Sequence, residues 1–424
     1  MFLGLSHNTL TFRLRSIPYV MRKSTVSNLW RPLDADVIAN PYPFYKQLQK
    51  EHPVFQAQTG EWIITRYADI KNILGDKNRF KAGNRLQWMK HATSYAKEKG
   101  LDYSNIPKAL QSFVLFKNPP QHTEYRKWIH QNWEEHPFIP GEIFGVIEEL
   151  FNNANLSGFD FVSAIAKPLP LIAISKILGI SLEDSPQLKS WSYDVIKAMD
   201  LYLKVSDLQR INKAAFHLLH YFTEIAEHPE VLDKSGIIYK LISDNTLNLT
   251  YEQLASAFIF LFIAGQETSA AFLSTMMYHL GNEQNFFNEV ASGLASANAS
   301  VNELFRFDPP VQLLGRINTE EVEINDIKIR PESTFTLCIA AGNRDPEIYE
   351  NPEKIILTRS ENPSLAFGYG IHRCLGESMA IDIAESALNY VSSHFHEIKI
   401  SDNLEWENNI SIRRLKSLEV SIWQ

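Results

Sequence analysis

Cysteine is scarce in this chain of 424 residues, in which Cys338 and Cys374 are the only two. Two cysteines cannot supply the disulfide framework typical of small secreted proteins, so a reduced, cytoplasmic setting is expected. Long apolar runs are lacking as well. The longest run, residues 255–265, is interrupted by Ser256 and falls short of the ~20 residues that a transmembrane helix needs. No membrane span is therefore predicted.

Basic residues are not in excess, because the formal net charge is -8. This balance removes the overall electrostatic case for binding nucleic acid. The chain is 45% hydrophobic and 12% aromatic, which supplies a large core. Since no linker or internal repeat divides it, a single domain over residues 26–424 is predicted. Residues 1–25 carry basic but no acidic side chains and are predicted to be a disordered or misassigned leader, with Met21 as an alternative start.

Strand signals are concentrated near the two ends of the chain. A hairpin is predicted about the Thr59-Gly60 turn, and a core strand is predicted around Cys338. Between them lie long helical patterns, for example over residues 161–178 and 208–226. The fold class expected is therefore mainly α with small β-sheets (α+β). The polar stretch 81–117 is interpreted as a long, partly irregular excursion, of the kind that often forms lids and binding loops.

A long central helix is predicted from residue 251 to Leu280. Thr250 and Gln253 fit a capping box at its start, and Gly281 is a plausible stop. At 1.5 Å per residue this helix would span ~45 Å.

The middle of that helix, Ala264-Gly265-Gln266-Glu267-Thr268-Ser269, is unusual. A glycine, an acid and two hydroxyls are poor helix formers or costly to bury, so something must compensate them. A hydroxyl that bonds the carbonyl four residues back bends a helix, and the small residues Ala264 and Gly265 would leave room for a diatomic ligand. The alternative is an amphipathic helix whose polar face happens to include Glu267 and Thr268.

The most informative segment is the glycine-rich loop around the second cysteine, residues 367–376. A helical pattern begins at Glu377, so Cys374 would lie where free backbone N–H groups and the helix dipole stabilise a thiolate. Such a thiolate can bind metal. The glycine spacing does not match a phosphate-binding loop. A buried structural cysteine remains the alternative.

The spacing Phe-Gly-x-Gly-x-His-x-Cys-x-Gly resembles the haem-binding signature of the cytochrome P-450 superfamily. The resemblance implies a long central helix over a buried haem b, with Cys374 as the iron ligand. It also implies that Thr268 hydrogen-bonds dioxygen and that Glu267 helps to deliver protons. Residues expected to contact the cofactor in the loop and the central helix are Phe367, Gly368, His372, Cys374, Gly376, Ala264 and Gly265.

Further matches to the family concern the scaffold and the haem propionates. Glu303 and Arg306 match its ExxR helix, and Arg359 matches the second arginine of that cluster; all three are interpreted as structural. Four cationic or donor side chains match the propionate-binding positions, namely His122, Arg126, Arg316 and His372. Asn118 and Gln121 stand where the family more often has Asp and Glu.

The activity implied is that of a monooxygenase, which inserts one oxygen atom from O₂ by hydroxylation or by O-dealkylation such as O-demethylation. Electrons derived from NAD(P)H would arrive through a separate ferredoxin and ferredoxin reductase, and a monomer is expected. Two alternatives are a peroxide-driven peroxygenase and a non-catalytic haem-based sensor. Glu267 and Thr268 argue against the first, since peroxygenases of this family usually lack that pair.

Two kinds of substrate remain open. Val311, Leu313 and Leu314 would form an apolar wall suited to a terpenoid or fatty chain. Trp88 and His91, in the 81–117 stretch, would suit a polar substrate such as a methoxylated sugar or an aryl ether.

Overall fold

The computed structural model describes residues 29–82, 84–98, 100–134, 140–200, 203 and 205–423, so the predicted leader lies outside it. Helices dominate this part of the chain. They are α1 (Ala35–Ala39), α2 (Tyr42–Glu51), α3 (Tyr67–Gly75), α4 (Asn84–Glu98), α5 (Asn105–Leu110), α6 (Gln121–Glu134), α7 (Pro140–Asn152), α8 (Pro168–Leu178), α9 (Ser185–Val195), α10 (Leu208–Glu227), α11 (Ile237–Ser243), α12 (Tyr251–Asn282), α13 (Gln284–Ala291), α14 (Ala297–Phe307), α15 (Ile339–Gly342) and α16 (Glu377–His394).

The strands are short and form small sheets. They are β1 (Val54–Gln56), β2 (Trp62–Ile64), β3 (Phe80–Lys81), β4 (Phe159–Asp160), β5 (Leu313–Asn318), β6 (Val322–Ile324), β7 (Ile327–Ile329), β8 (Thr334–Cys338), β9 (Glu397–Ile400), β10 (Glu405–Trp406), β11 (Leu415–Ser417) and β12 (Glu419–Trp423). One sheet has the order β1-β2-β8-β5-β3, another the order β4-β12-β9, and β6–β7 and β10–β11 are separate pairs. The predicted class, mainly helical with small sheets, is confirmed.

The two predicted strand features are also found. β1 and β2 pair antiparallel around the Thr59-Gly60 turn, with Phe55 opposite Ile63. Cys338 ends β8 and has no exposed surface. The stretch 81–117, expected to be partly irregular, is more helical than its composition indicates, because α4 and α5 occupy much of it. Met89, Thr93 and Ala96 form a buried stripe at helical spacing along α4, a signal hidden by the polar residues between them.

Helix α12 is the axis of the molecule. The capping box is present, since Thr250 Oγ1 accepts from the Gln253 amide while the Gln253 side chain accepts from the Thr250 amide. The helix ends at Asn282, past the predicted stop. Gly281 has a packing role instead, because a Cβ there would lie 2.5 Å from Cγ2 of Ile400 in β9. By length and composition α12 could cross a membrane, but 72% of its most apolar window is buried inside the fold.

The predicted Glu-Arg-Arg cluster ties α14 to the segment that leads into the cysteine loop. Arg306 donates from Nε and Nη2 to the two carboxylate oxygens of Glu303, at 2.8 Å each. Arg359 Nε donates to the same carboxylate over 3.0 Å. Arg306 also donates to the carbonyls of Asn343 and Lys354. Glu303 and Arg306 are essentially unexposed, so this network fixes the irregular chain after α15 where few regular hydrogen bonds are available.

Candidate active site

The loop around Cys374 is held by backbone hydrogen bonds and by two glycines. The Cys374 amide donates to the carbonyl of Phe367 over 2.8 Å, which closes the loop. Gly368 and Gly370 have φ of 74° and 73°, in the left-handed region that glycine adopts without strain. A Cβ at Gly370 would also lie 2.5 Å from the carbonyl oxygen of Leu74. The closing hydrogen bond and the two glycine conformations therefore fix the shape of this loop and the position of Cys374 in it.

The Cys374 side chain lies just before α16, which begins at Glu377. Burial raises the pKa of the thiol, and the negative charge of Glu377 acts in the same direction, while a backbone hydrogen bond from Gly376 and the positive charges of Arg126 and Arg373 act in the opposite direction. The side chain still has exposed surface, so protein crowds the sulfur on some sides and leaves it open on another. A partly open thiol of this kind can bind a metal as the thiolate, because the metal displaces the proton.

The four predicted propionate-binding side chains come together from α6, β5 and the cysteine loop. The rings of His122 and His372 lie 4.2 Å apart between centroids. Burial, followed by the charges of Arg126 and Arg316, lowers the pKa of His122 to about 4. Burial and the neighbouring Arg316 lower that of His372 to about 3. The four groups are therefore close enough to repel one another when charged.

The cradle formed by His122, Arg126, Arg316 and His372 contains hydrogen-bond donors that lack acceptors. Arg316 is 7% exposed, and its side chain donates to the Gly315 carbonyl over 2.8 Å. Burial alone lowers its pKa to about 10, with no carboxylate acting against it. Both ring nitrogens of His122 are buried without a hydrogen-bond partner among the described residues. Buried donors of this kind require an anion, and the two propionates of a haem meet that requirement.

Cys374 would be the single protein ligand of the iron. Among the residues that the structure describes, no group of three or more His, Cys, Asp or Glu side chains is placed to hold a metal ion. An iron held by one protein thiolate needs further ligands from outside the protein, and the macrocycle of a haem would supply them. The donor set of this site therefore fits a haem, with Cys374 toward the iron and His122, Arg126, Arg316 and His372 toward the propionates.

On α12, Ala264 and Thr268 lie one turn apart on a strip that keeps exposed surface. Thr268 Oγ1 donates to the Ala264 carbonyl over 3.1 Å, the predicted bond to the residue four back. Gly265 lies on another face of the helix. A Cβ there would be 2.6 Å from Cδ1 of Ile174 in α8. The small size of Gly265 therefore lets α8 and α12 approach closely, a packing role that the sequence does not indicate, and its expected contact with the cofactor stays a prediction.

Substituting Gly265 with alanine is expected to destabilise the fold by about 1–3 kcal/mol, since the added methyl overpacks the α8–α12 contact. Urea unfolding followed by circular dichroism would measure this loss. The double variant Gly265→Ala with Ile174→Ala should recover part of it, because the truncated side chain makes space for the methyl group. Additive losses in the double variant would contradict this packing role.

Glu267 is held by a residue that the sequence does not indicate. Its side chain is 7% exposed and accepts a hydrogen bond from Nη1 of Arg414, which precedes β11. A buried acid in mid-helix calls for a cation, and that much is readable from sequence. The identity of the cation is not, because Arg414 is one of 41 basic residues and lies 147 positions away.

The residues predicted to contact the substrate differ in how exposed they are and where they lie. His91 is exposed, and on α4 it lies two residues beyond the fully buried Met89. The Trp88 side chain lies outside the described part of the molecule. Val311 is half-buried and bridges to Ile412. Leu313 is 4% exposed in a core cluster with Cys338. The Leu313 prediction is therefore wrong, since alternation along β5 turns it to the opposite face from Arg316.

These features together define a haem-thiolate protein. They are the long central helix, the Cys374 loop just before α16, and the cradle of buried donors that lack an anionic partner. Comparison with known proteins agrees. Residues 187–401 match the family model described as Cytochrome P-450. This match spans half of the chain, and the protein belongs to the cytochrome P-450 family.

Individual relatives match along nearly their whole length. The chain is 28% identical to the biotin biosynthesis cytochrome P-450 of Bacillus subtilis (strain 168), over 91% of this chain and 97% of the relative. It is 26% identical to the polyketide biosynthesis cytochrome P-450 PksS of the same organism, over 93% and 98%. A crystal structure of P-450BioI in complex with hexadec-9Z-enoic acid ligated acyl carrier protein superposes with a TM-score of 0.82 at 26% identity, over 91% and 99% of the chains.

Proposed function

We propose that this cytochrome P-450 monooxygenase hydroxylates a mainly apolar, chain-like organic substrate on the Thr268 side of α12. The observation that carries the proposal is the combination of the Cys374 loop, the unpaired cradle and the open Ala264–Thr268 strip. When bound there, haem b would supply the activation of O₂, with its reactivity tuned by the cysteine thiolate. The chain's own residues would hold the cofactor, exclude water around it and position protons at Thr268 and Glu267.

Two observations favour an apolar substrate over a methoxylated sugar or aryl ether. The buried stripe of α4 consists of Met89, Thr93 and Ala96, whereas the polar residues that suggested a sugar, such as Lys90 and His91, are exposed. The relative crystallised with a fatty acyl group on its carrier protein matches almost the entire chain. O-dealkylation remains within the chemistry of such a site, because it also begins with hydroxylation of a C–H bond.

Electrons from NAD(P)H would arrive through a separate ferredoxin and ferredoxin reductase, in a monomeric cytoplasmic enzyme. Lys127 is exposed on α6, next to the cradle residue Arg126, and could attract an acidic partner. Arg373 contributes less charge to this surface, since both its Nε and Nη2 donate to Glu377 over 2.7 Å.

The experiment that tests the proposal is reconstitution of the purified protein with a ferredoxin, its reductase and NADPH. Fatty acids, fatty acyl groups on carrier protein and methoxylated sugars would be offered in parallel, with product analysis for each. Hydroxylated fatty product formed with the electron donors is the expected result. Turnover with hydrogen peroxide alone would favour the peroxygenase alternative, and binding without any turnover would favour the sensor.

Replacing Thr268 with alanine is expected to leave folding, cofactor content and substrate binding intact. Product formed per NADPH consumed should fall by about 10²-fold, with the electrons diverted to hydrogen peroxide, because a hydroxyl that positions protons is lost. Thr275→Ala is the matched control, since Thr275 makes the same type of bond to the carbonyl of Ala271 but is buried. Equal coupling in the two variants would count against the assigned role.

A further inference from the structure

The open strip of α12 extends one turn beyond Ala264, to Phe260. Phe260, Ala264 and Thr268 are spaced four residues apart, so they lie on one face of the helix. All three keep exposed surface, whereas residues 261–263 and 265–267 are buried. At 1.5 Å per residue the strip is about 12 Å long. An apolar chain that lies along it with its reacting carbon beside Thr268 therefore has its other end near Phe260.

Aromatic side chains between α5 and α6 continue this apolar wall. The ring of Phe260 lies 5.1 Å from that of Phe113, between centroids. Phe113 in turn stacks on Phe116, with the ring centroids 5.9 Å apart and the planes 4° from parallel. Phe116 keeps exposed surface and directly precedes Lys117. The wall that begins at Thr268 therefore ends beside a lysine.

Lys117 lacks an anionic partner. Its side chain is half-buried, and Nζ donates to the carbonyl of Gln111 over 3.0 Å and lies 4.1 Å from the ring centroid of Tyr125. An ammonium group has three N–H donors, so two remain available. No acidic side chain in the described part of the chain forms an ion pair with Lys117. A half-buried cation without a counter-ion favours binding of an anion.

Lys90 brings a second positive charge to the same place. It is exposed on α4, next to the buried Met89. Burial lowers the pKa of Lys117, and the charge of Lys90 acts in the same direction, so the two ammonium groups repel each other. The propionate cradle is a different set of charges, since those that act on His122 come from Arg126 and Arg316. An anion placed beside both lysines would offset their repulsion.

We propose that the substrate carries a terminal carboxylate, which binds to Lys117 and Lys90 while the apolar chain extends to Thr268. The chain would contact Phe116 and Phe260 on the way. Lys117 would donate charge-assisted hydrogen bonds to the carboxylate, and Lys90 would add attraction from the surface. The inference names the substrate class of the proposed monooxygenase and rests on that function. It also predicts hydroxylation far from the carboxyl group, because that end is held away from Thr268.

The test is optical titration of the haem-loaded protein with lauric acid, which is ionised at neutral pH, and with methyl laurate, which has the same chain without the charge. Wild type should bind the acid with a Kd about tenfold lower than that of the ester, the size of effect that a hydrogen bond to a charged group gives. Lys117→Met should remove this preference by weakening binding of the acid alone. Lys117→Arg keeps the charge and should restore most of it. Equal Kd values for acid and ester in the wild type would overturn the proposal.

A second variant keeps the proposal testable where Lys117→Met does not fold. Lys90→Met changes an exposed side chain and should raise the Kd of lauric acid about threefold, as expected for a solvent-exposed ion pair. Lys97→Met is the matched control, since Lys97 is exposed near the other end of the same helix, and it should leave that Kd unchanged. Equal effects of these two substitutions would overturn the role of Lys90. Haem lost from a folded Lys117→Met protein would place Lys117 with the propionates and overturn its role.

Product analysis separates this inference from the proposed function. Wild type should hydroxylate lauric acid at few positions, far from the carboxyl group, and Lys117→Met should spread the products over more positions. A wild-type protein that hydroxylates methyl laurate and lauric acid equally well would defeat the inference alone. A wild-type protein without a thiolate-type spectrum, or without turnover of any substrate, would defeat the proposed function itself.

Discussion

Replacing Cys374 with serine is expected to abolish monooxygenase turnover, the largest functional loss that any single substitution should cause. Serine keeps the size of the side chain and the loop hydrogen bond from the Cys374 amide to Phe367. A serine hydroxyl does not ionise near neutral pH, so it cannot donate the electron density that a thiolate gives to haem iron. The measurement is NADPH-dependent product formation, together with the absorption spectrum of the purified variant.

The chain provides its own control, because Cys338 is the only other cysteine. Cys338 is completely buried at the end of β8, and burial strongly disfavours its thiolate form. Cys338→Ala should therefore lose some stability, as a truncated core residue does, but keep the thiolate-type spectrum and turnover. Turnover retained in Cys374→Ser, or lost in a folded Cys338→Ala protein, would show that the ligand has been misassigned.

The second large effect is expected on stability. Glu303→Ala leaves Arg306 buried without its carboxylate, and breaking a buried pair in this way costs about 3–5 kcal/mol. Arg359 and the Ile356 amide, which also donate to Glu303, lose the same acceptor. The chain between α15 and the cysteine loop would then be held less firmly. We expect poor expression and weak cofactor retention rather than loss of one catalytic step.

Chemical denaturation and haem content per protein measure this effect. Glu321→Ala serves as the control, since Glu321 is exposed and surface substitutions usually change stability by less than about 0.5 kcal/mol. A Glu303→Ala protein with normal unfolding and full haem content would contradict the structural role of the cluster.

Local signals in the sequence were sufficient for much of the fold. The capping box at Thr250 and Gln253 marks the start of α12 because both of its bonds lie within one helical turn. The Cys374 loop is equally local, because its glycines, its closing bond and the start of α16 all lie between Phe367 and Glu377. The packing role of Gly281 is not local. Its packing against Ile400 depends on a strand more than a hundred residues away.

Long-range packing also explains what sequence reasoning missed in the site. Leu313 and Arg316 are three residues apart, but only the pleat of β5 shows that they face opposite sides. Gly265 reads as an open place in a helix until Ile174 of α8 is seen against it. Arg414 carries no signal of its own, since its role depends on Glu267 and Glu407 meeting in space.

Binding of haem iron by the Cys374 thiolate can be tested with the absorption spectrum of the reduced, carbon monoxide-bound protein. We expect the strongly red-shifted Soret band of a thiolate-ligated haem in the wild type and in Cys338→Ala, and its absence in Cys374→Ser. A Soret band typical of histidine ligation in the wild-type protein, or no haem at all after reconstitution, would contradict it.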